Sequence, residues 1–197
     1  MKLLIFIRHF IEFFLFKIIL LILNLFSKSL SSKIIRNFLL FLGKFSKYHI
    51  IAKNNCKIVF PNLSDDAIIK IINNSWKNLG NNLFELTYLK KLINQKNLIE
   101  FEGLEVLEKI KKKAAPVIFF SIHASNWEIC VPILDQKGFN IGAIYRHINN
   151  KFFDKYIYKK RNEALNSKYS FYTPKGKISA KEILNGEHSK KIIMPID

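Results

Sequence analysis

Residues Pro116 to Glu128 read PVIFFSIHASNWE, and this run constrains the fold more than any other. Val117 to Ile122 is short, apolar on both faces and without alternation. That pattern predicts a buried strand in a parallel sheet. Pro116 can open such a strand but not sit inside a central one. The residues from Trp127 to Leu134, WEICVPIL, predict the start of an amphipathic helix, with Ser125 or Asn126 as N-cap. His123 then lies where the strand gives way to the helix, and Glu128 lies about a turn into the helix. Ligands of open α/β sheets bind at the carboxyl ends of strands. A carboxylate near an imidazole fixes its tautomer and stabilises the imidazolium, so that the imidazole can take a proton from a hydroxyl. The spacing alone carries little, because five histidines and 15 acids give about 0.4 chance matches to His-x4-Asp/Glu. The strand, small polar turn and helix around it give it weight. The competing reading is a structural His at a strand end beside a solvated Glu.

A chain of 197 residues allows one domain with an extra segment, and 49% hydrophobic residues suffice for a sizeable core. Eighteen Phe lean towards contact with lipid. The net charge of +17 favours anionic partners such as phospholipid, phosphorylated lipid, acidic protein or nucleic acid. Lys is abundant all along the chain, so the charge serves only as support. Cys56 and Cys130 have neither CxxC nor metal-ligand spacing, which implies a reducing compartment and no disulfide framework. No metal site is visible.

Leu3 to Phe26 is apolar and Phe-rich but interrupted by Arg8, His9, Glu12 and Lys17, of which Arg8 and Glu12 are spaced to pair. We read residues 1–27 as a membrane anchor, spanning or lying in the interface, against the alternative of a core helix. Residues 28–197 form the remaining domain. Lys28 to Ala52 predicts a basic amphipathic helix that lies on an anionic membrane face or packs on the domain. Ser64 caps a long amphipathic helix carrying Ile68, Ile72, Trp76, Leu79, Leu83 and Leu86, with Gly80 as its weak point. Trp76 reads as core, and Glu85 as a boundary residue against the alternative of a buried acid with a role. Leu98 to Val106 predicts a strand or turn around Gly103, and Leu104 to Lys113 a basic helix. Beyond Gly138, Asn140 to Tyr145 predicts a second strand ending at Arg146, and Phe152 to Ala164 a helix bearing Asp154 and Arg161. If the second strand lies beside the first, Arg146 reaches the crevice of His123, where a guanidinium binds phosphate or an oxyanion. A surface Arg is the competing reading. Tyr172 to Gly176 reads as a loop, Ile178 to Leu184 as a helix stopped by Asn185-Gly186, and Lys191 to Met194 as a third strand. Because the chain ends on a core strand, we expect a C-terminal part to be missing.

These landmarks together resemble the bacterial lipid A biosynthesis acyltransferases, the lauroyl and myristoyl transferases that add secondary acyl chains. More broadly they resemble the His-x4-Asp/Glu acyltransferases of glycerolipid synthesis. The N-terminal apolar segment looks like that family's anchor, and Asn55, Phe60-Pro61 and Glu85 like its N-terminal block. His123-Ala-Ser-Asn-Trp-Glu128 looks like its most specific motif. Tyr145-Arg146, Asn149, Asp154 and Arg161 resemble a second block, and Lys175-Gly176, Leu184, Gly186 and Asp197 a third. Two departures bear on loop shape and acceptor choice. Ser125 stands where the family usually has Gly, and His147 where a Pro follows the Arg.

The resemblance implies an α/β fold: a mixed or mostly parallel sheet flanked by helices, glycerolipid-acyltransferase-like, with an N-terminal anchor helix. It implies transfer of a fatty acyl chain from acyl carrier protein, the co-substrate donor, to a hydroxyl of a phosphorylated glycolipid, the lipid A precursor. No further cofactor is called for. His123 would be the general base and Glu128 its orienting carboxylate. Arg146 would bind a phosphate or the oxyanion, and Asn126, Asn149 and Arg161 would serve substrate or oxyanion binding. The site would face the cytoplasm at the bacterial inner membrane, with inner membrane lipids as neighbours. One alternative is an acyltransferase acting on a glycerophospholipid or other membrane lipid. Another is a non-enzymatic basic membrane-associated protein. No RNP-like, zinc-finger or helix-turn-helix signal points to nucleic acid.

Overall fold

The computed structural model describes residues 2–95, 98–113, 117–176, 181 and 191–196. Pro116, the segment 178–180, Leu184, Asn185-Gly186 and Asp197 lie outside them, and with them the expected helix before the last strand. The chain divides into two compact units, Met1–Phe13 with Leu86–Asp197, and Phe14–Glu85. The first helix, α1 (Lys2–Leu23), begins in one unit and ends in the other.

The helical unit contains α2 (Lys28–Lys44), α3 (Lys47–Val59) and α4 (Asp65–Leu86) up to Glu85. The single basic helix expected over residues 28–52 is in fact two. α2 stops at Phe45, and Ser46 caps α3 by accepting a hydrogen bond from the Tyr48 amide. Ser64 starts α4 as expected, accepting from the Ala67 amide at 3.3 Å. The acidic first turn, Asp65 and Asp66, suits the positive end of the helix. Ile68 and Ile72 are each 1% exposed, and burying such a side chain stabilises by roughly 1.5–3 kcal/mol. The inward stripe shifts near its end: Leu83 is exposed and Phe84 is buried instead. Gly80 is weak for a helix by propensity, but it sits where α4 meets α2 backbone to backbone. A Cβ there would come within 3.0 Å of the Arg36 Cα and the Ile35 carbonyl. Gly43 makes room in the same way for the Trp76 ring. Trp76 is structural, as expected, and its indole N–H donates to His49 Nδ1 at 3.2 Å. Glu85 is half-buried and accepts from Asn81 Nδ2 at 2.7 Å, while Asn81 Oδ1 accepts from Ser32.

The other unit is built on a four-stranded parallel sheet with strand order β1-β4-β2-β3. The strands are β1 (Val117–Ile122), β2 (Ile141–Tyr145), β3 (Phe171–Pro174) and β4 (Lys191–Ile196). Around them lie α5 (Leu89–Ile93), α6 (Leu104–Lys112), α7 (Cys130–Gln136) and α8 (Lys151–Glu163). This is a helix-rich α/β fold with a small parallel sheet. Its core gathers Val131, Phe139, Ile141, Ala143 and Tyr172, with Phe119 edge-on to Phe139. A second cluster joins Leu86, Leu89 and Ile93 to Ile157 and Ala164 of α8.

Four expectations change or narrow here. β1 is an edge strand of the described sheet rather than a buried central one. Ile118, Phe120 and Ile122 are exposed, while Val117, Phe119 and Ser121 turn inward. β4 enters between β1 and β2, so the second strand does not lie beside the first. The supposed loop at Tyr172 is the edge strand β3, and only Lys175-Gly176 forms the turn. Around Gly103 there is no strand. Its φ of 74° instead places it in the left-handed region at the start of α6, where glycine carries no Cβ penalty.

No helix among the described residues is long and apolar enough to cross a membrane, so the expected spanning anchor is not found. The physical reason lies in α1. Arg8, Glu12 and Lys17 are spread along its 22 residues, and a spanning helix needs about 20 predominantly apolar ones. Arg8 and Glu12 pair as their spacing predicts, at 3.4 Å. The beginning of α1 packs on α8, with the rings of Phe6, Phe10 and Phe13 5.4–6.0 Å from that of Phe152. Asn150 fixes the joint. Its Oδ1 caps α8 at the Phe152 and Phe153 amides, and its Nδ2 donates to the His9 carbonyl and to Glu12 Oε2, both at 2.9 Å.

Candidate active site

Because the strands are parallel, β1, β2 and β3 all deliver the residues that follow them to one edge of the sheet. Ile122 pairs with Ile196 of β4, and Ala143 of β2 pairs with Ile193. Counting along the strands puts Arg146 level with Ile122, one residue short of His123. Two strand spacings separate their chains, about 10 Å. Arg146 therefore shares the edge with His123 but stands across β4 from it. Both side chains are exposed.

The turn after β1 has the predicted shape. Ser125 adopts a φ of 48°, and Asn126 Oδ1 accepts from the Glu128 amide at 3.1 Å. That cap starts a single 3-10 turn, Trp127–Ile129, which runs on into α7. Asn126, which the family resemblance assigned to substrate, thus has a structural bond that its alternative reading as N-cap anticipated. The His123 and Trp127 rings meet in a T-shaped contact with centroids 5.0 Å apart.

Left-handed backbone costs an ordinary residue roughly 1–2 kcal/mol, which accounts for the glycine that the resemblance leads one to expect at this position. Ser125→Gly and Ser125→Val both remove the hydroxyl, so their difference isolates the backbone. We expect the Gly variant to be the more stable by about 2 kcal/mol. Chemical denaturation of the two variants measures the difference.

Glu128 does not hydrogen-bond to His123 among the described residues. Its carboxylate is gripped from the other side by Arg161 of α8, with Nε to Oε2 at 2.7 Å and Nη2 to Oε1 at 2.6 Å. The two side chains are only 17% (Arg161) and 9% (Glu128) exposed. This paired, two-point geometry is the strongest that an arginine makes with a carboxylate. Burial by itself would favour a neutral Arg161, but the hydrogen bonds and charge of Glu128 outweigh it and hold the guanidinium above its ordinary range. The guanidinium also lies 5.6 Å from the Tyr145 ring and 5.7 Å from the Tyr172 ring. Arg161, expected to face substrate, therefore has at least two donors engaged within the protein. It ties α8 and the ends of β2 and β3 to the turn that carries Glu128.

Tyr172 is buried, and its hydroxyl has no hydrogen-bond partner among the described residues. Burial, reinforced by the negative charge of Glu128, pushes its ionisation well above the usual tyrosine range. The phenol stays neutral under the guanidinium.

The loop after β2 has its own carboxylate. Asp154 Oδ1 accepts from the Ile148 amide at 2.9 Å, and Oδ2 lies 2.7 Å from His147 Nδ1. Asn149 is exposed on the same loop. The turn before β3 hangs on Asp135, a buried carboxylate that accepts from the amides of Asn166 and Ser167 and from the Ser170 hydroxyl. Sequence reasoning did not single out Asp135, Asn150 or Tyr172. Asn150 was within reach, because an Asn before a helical stretch is a capping signal. Asp135 gave no signal, since its partners are 31–35 residues away. No group of His, Cys, Asp and Glu among the described residues could hold a metal ion.

A strand, turn and helix carrying His-x4-Glu, with a partly buried arginine on the Glu, is the local frame. The bacterial lipid A biosynthesis acyltransferase family matches residues 2–182. The chain belongs to that family. It is accordingly an acyltransferase, and its acceptor is of the lipid A type. The match takes in both the His123–Glu128 turn and the loop and helix from Arg146 to Arg161. No curated protein and no solved structure matches the chain.

Proposed function

We propose that this acyltransferase moves a fatty acyl chain from acyl carrier protein to a hydroxyl of a lipid A precursor at the bacterial inner membrane, with its catalytic unit on the cytoplasmic side. His123 is the general base. Its imidazole takes the proton of the acceptor hydroxyl as the oxygen attacks the thioester carbonyl. The tetrahedral oxyanion then collapses and expels the thiolate of the carrier, which receives the proton from the imidazolium. The acceptor oxygen attacks directly, so no enzyme nucleophile is required. Glu128 supports the imidazolium electrostatically, and Arg161 is the positioning residue that holds Glu128. Arg146 and Asn149 on the loop after β2, with Asn126 on the loop after β1, bind a phosphate or the oxyanion.

One observation carries this reading: an exposed imidazole at the carboxyl edge of a parallel sheet, within a chain of a lipid A acyltransferase family. Attachment in the lipid interface, rather than across it, draws support from the exposed apolar side chains of α1, α2 and α3. Among them are Leu3, Leu4, Phe41, Ile51 and Ile58. The net charge of +17 suits an acidic carrier and anionic lipid alike.

The test supplies membranes containing the protein with labelled acyl chains on two donors, acyl carrier protein and coenzyme A, and with two acceptors, a tetra-acyl lipid A precursor and a lysophospholipid. Acylation of the glycolipid is expected. Transfer to the lysophospholipid alone would keep the chemistry and replace the acceptor, and transfer from a coenzyme A thioester but not from the carrier would replace the donor.

A further inference from the structure

The His–carboxylate pair that hydrogen-bond geometry joins among the described residues is not His123 with Glu128 but His147 with Asp154, at 2.7 Å. The two partners differ sharply in exposure. The His147 side chain is 61% exposed and that of Asp154 only 17%. Asp154 is also fixed at its other oxygen by the Ile148 amide and by its place in the first turn of α8. The less exposed partner therefore sets the ring of the exposed one. With Nδ1 turned to Asp154, Nε2 points away from it, and no hydrogen bond to Nε2 exists among the described residues. The Tyr145 ring, edge-on at 5.5 Å, steadies the imidazole from the side. Arg146, the preceding residue, is exposed too. Its guanidinium is not otherwise paired among the described residues.

We propose that His147, oriented by Asp154, forms with Arg146 a binding site for an anionic oxygen group of the acceptor, a phosphate monoester. This rests on the acceptor being a phosphorylated glycolipid, as proposed above. In the imidazolium form both ring nitrogens donate, Nδ1–H to Asp154 and Nε2–H outward. Arg146 adds a permanent charge with several donors, and charge-assisted bonds of this kind are the strong ones for phosphate. Position decides between binding and proton transfer. The 146–148 loop stands about 10 Å from the end of β1, whereas a group that takes a proton must come within about 3 Å of it. His147 and His123 thus stand on separate loops two strand spacings apart, which suits His147 to hold a part of the acceptor remote from the hydroxyl that His123 deprotonates. That span fits a large acceptor lying across the sheet edge, with its reacting hydroxyl at β1 and its phosphate at β2.

The experiment compares His147→Ala and His147→Arg with wild type, using the full chain in membranes and carrier-bound acyl donor. The acceptors are a phosphorylated glycolipid and the same glycolipid with its phosphates removed. We expect His147→Ala to raise KM for the phosphorylated acceptor about tenfold, leaving kcat and the KM for the donor within twofold. We expect its penalty to vanish on the dephosphorylated acceptor, and His147→Arg to restore most of the affinity. A loss that is equal on both acceptors, or that falls on kcat, would overturn the proposal. A second arm is independent of turnover. The imidazole NMR signal of His147, assigned by its absence in His147→Ala, is followed as inorganic phosphate is added to the detergent-solubilised protein. A shift that saturates and that weakens in Arg146→Ala supports the site even if wild type proves inactive on both glycolipids, in which case the acceptor assignment alone has failed. A signal indifferent to phosphate overturns the site.

Discussion

Replacing His123 by alanine is expected to lower kcat for acyl transfer by about 10²–10⁴, the range that a general base contributes, while leaving the protein folded. The second half of that expectation comes from the surroundings of the ring. His123 is exposed and follows the last residue of β1, and its described contact is a T-shaped one with the Trp127 ring at 5.0 Å. Nothing buried depends on it, so stability should stay within about 0.5 kcal/mol of wild type. Rate and unfolding midpoint therefore separate cleanly. A structural histidine would behave in the opposite way, losing midpoint first and rate only in proportion to the unfolded fraction. Single-turnover acyl transfer, with thermal unfolding of the same preparations, makes the measurement. A variant that keeps more than a tenth of the wild-type rate would remove His123 from the role of base.

What the sequence made legible, and what it did not, follows the range of the forces involved. The turn after β1 was legible because its determinants are local. An apolar run, an Asn two residues before Glu128 and an amphipathic stretch fix strand, cap and helix within a dozen residues. The start of α4 at Ser64, the α8 helix and the i, i+4 pair of Arg8 and Glu12 were legible for the same reason. The order of strands was not. Whether β4 pairs between β1 and β2 depends on contacts between residues some 50–75 positions apart, and no pattern within β1 records its neighbours. The exposed face of β1 misled for a related reason: Ile118, Phe120 and Ile122 are as apolar as a buried face would be. Gly80 shows propensity yielding to tertiary packing, since the residue that weakens α4 in isolation is the one that lets α2 approach. At the site, the residue types were readable but not all the pairings. Arg161 and Glu128 stand 33 residues apart and Asp154 and His147 only seven, yet neither pair follows from spacing alone. Two carboxylates, two histidines and two arginines admit several matchings, and the fold selects one.

That selected matching yields a stability effect of its own. Removing one member of the Glu128–Arg161 pair leaves the other charge nearly buried and uncompensated, a change that costs about 3–5 kcal/mol. Glu128→Gln and Arg161→Met are each expected to show losses of this size, far above those of an exposed pair such as Arg8–Glu12, where about 0–1 kcal/mol is typical. The double variant should regain much of the loss, because neither charge is then stranded, giving a coupling of about 2 kcal/mol or more. Acyl-transfer rate should not follow stability back. If Glu128 supports the imidazolium electrostatically, the double variant is refolded but slow, since no carboxylate remains beside His123. If Glu128 serves only as a strut for the turn, the double variant should recover rate and stability together. Denaturant unfolding of the four proteins in the cycle, with kcat for each, separates the two. A coupling near zero would mean that the two-point contact between α8 and the turn contributes nothing to holding the site together.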